Sequence, residues 1–141
     1  MSDNCFRNTE RLRKDLTGIM TGEKHILLVD DDNDMLMLIE RWLKKEYRVT
    51  VALSGQEAID SIINDRPDMV LLDYAMPEMD GPATLREIRS NEDIADVKVV
   101  FLTGMESMEN EELNELNPAG FLAKSLGKKK LLPEIEKLLR D

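Results

Sequence analysis

Soft metal ligands are almost absent from this chain: one cysteine, Cys5, and one histidine, His25, among 141 residues. No internal disulfide and no Cys/His zinc site can be assembled from them, so metal chemistry must use oxygen ligands. No apolar run approaches the roughly 18 residues a membrane helix needs. The opening Met1-Ser2-Asp3-Asn4-Cys5 lacks a signal peptide's basic and apolar regions. The expectation is a cytoplasmic protein with no membrane insertion. Repeats and low-complexity segments are missing too. Basic charge is also short, 19 Lys and Arg against 29 Asp and Glu, a net charge of −10. Phosphate backbones are held by Lys and Arg clusters, so no direct nucleic-acid binding is expected. A partner with a basic surface would suit the chain better.

What remains is one domain's worth of alternating apolar and polar segments. Residues 1–24 have no strand pattern, and Phe6, Leu12, Leu16, Ile19 and Met20 fall loosely on one helical stripe before Thr21-Gly22. They read as an N-terminal extension, a short helix or a frayed leader, with residues 25–141 as the domain. The extension is near neutral, five Lys and Arg against four Asp and Glu, leaving 14 against 25 for the rest. The acidity therefore belongs to the domain.

Ile26-Leu27-Leu28-Val29 is an apolar strand running into Asp30-Asp31-Asp32-Asn33-Asp34. Adjacent carboxylates repel one another unless a cation sits among them, and hard oxygen ligands suit Mg²⁺ or Mn²⁺. Asp32 or Asn33 has a second use as a helix cap. A calcium-binding EF-hand is excluded: counted from Asp30, its required Gly and Glu fall on Met35 and Arg41. A helix from Met35 to about Lys45 follows, with Met35, Leu38, Ile39, Trp42 and Leu43 inward. Tyr47 to Ala52 alternates as a strand, and Ser54 with Glu57 forms a capping box for a helix through Ala58, Ile59, Ile62 and Ile63.

Met69 to Leu72 is a continuous apolar strand that delivers Asp73 to its end and breaks into Tyr74-Ala75-Met76-Pro77-Glu78-Met79-Asp80-Gly81. On this segment alone Asp73 is either a turn cap or a ligand-binding group. A third helix spans about Pro82 to Ser90 with Leu85 and Ile88 inward. The strand Val97 to Leu102 then ends in Thr103-Gly104. Glu106 to Leu116 reads as a weak acidic helix, Gly120 to Ala123 as a short strand ending in Lys124, and Lys128 to Arg140 as the last helix. Five strand–helix pairs in alternation predict a parallel sheet with helices on both faces and right-handed crossovers.

Four strands thus deliver Asp30/Asp31, Asp73, Thr103 and Lys124 to one carboxyl edge. A carboxylate nucleophile, a cation held by neighbouring carboxylates, a hydroxyl and an ammonium are what phosphoryl transfer to an aspartate needs. The motifs LLVDDD, LLDYAMPEMDG, FLTG and GFLAK, in this order and spacing over about residues 25–140, resemble those of the receiver domains of bacterial two-component response regulators. The resemblance implies the doubly wound, flavodoxin-like (βα)5 fold, an α/β protein with a five-stranded parallel sheet of order 2-1-3-4-5.

By the same resemblance Asp73 is the phosphoacceptor. Asp31 and Asp73 bind Mg²⁺ (or Mn²⁺) directly, Asp30 through water, and Ala75 through its backbone carbonyl. Thr103 and Lys124 would contact the phosphoryl group, and Phe121 would be the aromatic that turns inward as Thr103 moves. The implied phosphodonor is a histidine kinase or a histidine phosphotransfer protein. The implied output is a downstream protein target or a homodimer, with only self-phosphotransfer and autodephosphorylation and no turnover of external substrates. The glutamates of the acidic helix and Lys128, Lys129 and Lys130 of the last helix could pair between protomers. With no output domain after Asp141, the chain is expected to be a stand-alone receiver or one cut from a larger protein.

Two departures stand out. Ser125 follows Lys124 where the family usually has proline, often cis, so this peptide is expected to be trans or strained. Ala75 and Met105 occupy the positions that often orient hydrolytic water, and neither can do so. A long-lived aspartyl phosphate is expected. Two other readings use the same residues: a haloacid-dehalogenase-type phosphatase acting through Asp30 and Asp32, which lacks the following Gly-Thr and a cap domain, and a pseudo-receiver kept as an interaction module.

Overall fold

The computed structural model describes residues 23–104 and 111–141. The N-terminal extension lies outside them except for Glu23 and Lys24, as does the part of the expected acidic helix up to Asn110. Five strands, β1 (His25–Val29), β2 (Arg48–Ala52), β3 (Met69–Asp73), β4 (Val99–Thr103) and β5 (Gly120–Ala123), alternate with helices α1 (Asn33–Leu43), α2 (Gly55–Asn64), α3 (Gly81–Ser90), α4 (Glu111–Glu115) and α5 (Lys128–Arg140). All pairings are parallel, in the order β2-β1-β3-β4-β5. The expected fold and strand order are therefore observed. β1, β3 and β4 are buried throughout, as strands covered on both faces must be.

Side-chain alternation divides the core in two. Leu27, Val29, Val70, Leu72, Val99 and Phe101 pack on one face with Ala58, Ile62, Leu85, Ile88 and Leu113 of α2, α3 and α4. Ile26, Leu28, Met69, Leu71, Val100 and Leu102 pack on the other with Leu36, Ile39 and Leu43 of α1 and Leu131 and Ile135 of α5. Each fully buried Leu or Ile contributes about 1.5–3 kcal/mol, so neither layer is dispensable.

Local signals fix several helix starts. Asp32 caps α1, accepting from the N–H groups of Asp34 at 3.0 Å and Met35 at 3.3 Å. Ser54 caps α2 by accepting from Glu57 N–H at 3.2 Å, and Asp80 caps α3 by accepting from Ala83 N–H at 2.9 Å.

Some expectations need correction. α1 starts at Asn33, and Leu36 is buried where Leu38 was expected, Leu38 being 41% exposed. Residues 35–39 are all apolar, so periodicity alone cannot choose the stripe and contact with the sheet does. Trp42, expected inward, is only partly buried, Ile63 is 53% exposed, and Met37 of α1 is 57% exposed. β4 begins at Val99, with Val97 buried in the preceding loop. After β5 the chain makes a 3-10 turn, Lys124–Leu126. No described peptide bond is cis, so Lys124-Ser125 takes the trans alternative.

Candidate phosphoacceptor site

Strand parity decides which polar residues meet. Asp30 and Asp73 each lie one residue beyond the Val29–Leu72 pair, and Lys124 lies two beyond Leu122. All three continue the series that packs against α1 and α5. The Lys124 ammonium sits 2.9 Å from Asp73 Oδ1 and 3.0 Å from Asp30 Oδ2. Asp31 is exposed, but one oxygen from each of Asp30, Asp31 and Asp73 lies within 4.8 Å of the others. The structure therefore brings together Asp30, Asp31, Asp73 and Lys124. Thr103, 6% exposed at the end of β4, has the opposite parity. Phe121 shares that parity and stacks on Phe101, ring centroids 5.6 Å apart. Thr103 and Phe121 thus belong to the α2–α4 side of the same edge.

The electrostatics of the cluster are unfavourable without more positive charge. Burial, together with the nearby Asp30 charge, pushes the Asp73 carboxyl up to about 7, although Lys124 pulls it the other way. Burial by itself would lower the Lys124 ammonium, but its bonds to Asp73 and Asp30 outweigh burial and raise it. Asp30 Oδ1 accepts from Asp32 N–H at 2.9 Å. Asp30 Oδ2 is buried, with the Lys124 ammonium as its ion-pair partner at 3.0 Å. Three converging hard carboxylate oxygens, with one ammonium shared between two of them, fit a divalent cation such as Mg²⁺.

The loop after β3 is shaped by close packing. Gly81 N–H donates to Tyr74 O at 2.8 Å. A Cβ on Gly81 would lie 2.7 Å from Asp73 O and 2.9 Å from Phe101 Cε1, so only glycine lets the loop fold back on the strand end. Glu78 holds a left-handed φ of 66°, a conformation that non-glycine residues rarely adopt. Ala75 is exposed in this loop, beside an open cleft of about 490 Å³ lined by Tyr74, Ala75, Met76, Pro77 and Asp80. Met105 lies outside the described residues. Sequence reasoning missed the cap at Asp80. An Asp directly before a helical run, with Pro at its second position, signals it.

Comparison with known proteins agrees with this geometry. Residues 26–136 match the model of the response regulator receiver domain. Among curated proteins, response regulator MprA of Mycolicibacterium vanbaalenii is 37% identical over 118 residues, 82% of this chain and 50% of that one. A probable cyclic di-GMP phosphodiesterase of Vibrio cholerae is 36% identical over 100 residues, 70% of this chain and 23% of that one. The chain thus spans half or less of the length of these relatives. Among solved structures, the N-terminal domain of a response regulator/sensory box/GGDEF 3-domain protein from Carboxydothermus hydrogenoformans aligns with TM-score 0.73 and 32% identity, covering 83% of this chain and 94% of that one. The Vibrio cholerae chemotaxis protein CheY4 shares the fold, with TM-score 0.77 and 24% identity over 83% of this chain and 99% of that one. With its parallel sheet, its carboxylate cluster and a family model spanning most of its length, this chain belongs to the response regulator receiver domains.

Proposed function

We propose that the chain is a phosphorylation-dependent switch that takes a phosphoryl group onto Asp73 from a histidine kinase or a histidine phosphotransfer protein. The observation that carries this reading is the convergence of Asp30, Asp31 and Asp73 oxygens within 4.8 Å, with the Lys124 ammonium 2.9 Å from Asp73. Asp73 is the nucleophile: its carboxylate oxygen bonds to phosphorus as the donor's P–N or P–O bond breaks, and the leaving group keeps the electron pair. Asp30, Asp31 and Asp73, with the Ala75 carbonyl, would hold Mg²⁺. Bound there, Mg²⁺ would lower the cost of ionising Asp73 and neutralise charge on the transferring group. Lys124 exchanges its bond with Asp73 Oδ1 for one with a phosphoryl oxygen, and the Thr103 hydroxyl donates to another from the opposite side of the edge. Drawing Thr103 in vacates space next to Phe121, which couples the site to the α4–β5–α5 surface. The output partner is a downstream protein or a second copy of this chain.

Treating the full chain with acetyl phosphate and Mg²⁺ and mapping the adduct by mass spectrometry tests this. One phosphoryl group on Asp73 is expected, absent from Asp73→Asn and absent with a chelator. Because Ala75 and Met105 cannot orient a water, that adduct should persist. Failure to label in the folded protein would instead favour an interaction module, and turnover through Asp30 a phosphatase.

A further inference from the structure

On the sheet face away from the carboxylates, Arg89 in the last turn of α3 makes an unusual set of bonds. Its Nε donates to Leu116 O at 2.6 Å, one terminal nitrogen to Ala95 O at 2.7 Å and Val97 O at 2.8 Å, and the other to Asn117 O at 3.0 Å. Four of its five N–H groups therefore end on backbone carbonyls, in a domain rich in carboxylates. Asp96, whose charge reaches Arg89, bonds Arg66 at 2.6 Å instead. The carbonyls come from two separate connections, the one entering β4 and the one leaving α4.

Those at 116 and 117 lie at the carboxyl end of α4, where helix carbonyls are unsatisfied and a cation is favoured. Five residues of α4 are described, and a stretch that short holds its helical form through packing and not through propensity. Its described anchors are Leu113, buried, and Leu116, partly buried against the core. Leu116 and Asn117 then form a tight turn, with N–H groups on Leu113 O and Asn114 O and a left-handed φ of 54° at Asn117. That turn directs two carbonyls at the guanidinium. Beyond it, Ala119 N–H joins Val99 O at 2.7 Å and β5 begins.

We infer that Arg89 is a latch: α4 and its turn into β5, residues 111–119, form one unit that opens separately from the rest of the domain, and the carbonyl bonds of Arg89 set how often it opens. The unit borders Phe121, so its opening remodels the surface there. The carboxylate cluster has the opposite parity and keeps its contacts. This inference does not depend on Asp73 accepting phosphate.

Hydrogen exchange on the full chain, read by mass spectrometry, tests it. In Arg89→Met, peptides covering 111–119 should exchange about tenfold faster or more, while β1 and β3 change by less than about threefold. Arg89→Lys, whose single ammonium cannot span both connections, should fall between. Unchanged exchange at 111–119 overturns the inference, and so does an equal acceleration in every strand, which would make Arg89 a brace of the whole domain. Should Arg89→Met fail to fold, Arg89→Lys separates the same two outcomes at the same peptides.

Discussion

At the scale of single residues, Asp73 trades stability for chemistry. Its carboxyl, 3% exposed, is pushed up to about 7 by burial and by Asp30, against 3.8 in an unfolded chain. Between those values the folded protein holds a proton that the unfolded chain has lost, so stability falls as pH rises through that window. Without divalent cations, Asp73→Asn should therefore be more stable than the parent at pH 8, by about 1–2 kcal/mol, allowing for solvent access at Asp31. The gain should vanish toward pH 4. Urea midpoints across that range check both sign and window, and saturating Mg²⁺ should close the gap by stabilising the parent. The residues of this cluster were legible in sequence because each ends an apolar run. Lys124 facing Asp30 as well as Asp73 was not, because that depends on three strands sharing one parity.

At the scale of elements, α5 is held by its neighbours more than by its own sequence. Gly127 precedes it with no side-chain cap, and Lys128, Lys129 and Lys130 crowd the positive end of its dipole. At the other end Lys98 donates to Leu138 O at 2.6 Å, a favourable cap supplied from the approach to β4. Pro133 lies inside the helix and removes one backbone bond. Pro133→Ala should raise stability by about 1–3 kcal/mol, read as an upward shift in thermal midpoint with the adduct at Asp73 unaffected. The helices with one apolar stripe, such as α3 with Leu85 and Ile88, were placed correctly from spacing. In α1 the apolar run 35–39 satisfies two stripes, and only the sheet selects Leu36 over Leu38.

At the scale of the molecule, charge is the dominant surface property. Against a net charge of −10, the three lysines opening α5 are exposed, and Lys129 and Lys130 line a groove of about 450 Å³ together with Phe121, Leu122, Leu126, Pro133 and Glu134. Glutamates at 106, 109, 111, 112 and 115 precede β5 in the sequence. A second copy would bring the two signs together. With beryllofluoride and Mg²⁺ as a phosphate mimic, sedimentation velocity should show a concentration-dependent dimer that dissociates at about 0.5 M salt, where exposed charges are screened within a few ångström. A monomer under both conditions would assign the output to another protein. Among the described residues no helix is long and apolar enough to cross a membrane.

By itself the sequence determined the fold class, the strand order through its family motifs, and the carboxyl-edge position of the site residues. The fold class and the edge position depend on local information, apolar runs of strand length, caps and turn residues next to them in the chain, whereas the strand order came only from the resemblance of the motifs to the family. Tertiary structure alone decided which stripe of α1 is buried and that Asp30 and Asp73 share the Lys124 ammonium. It also decided that Arg89 joins two connections, through Ala95 on one and Asn117 on the other. Each of these depends on how separate elements meet in space, and of the pairs named only Arg89 and Ala95 lie within one short window of the chain.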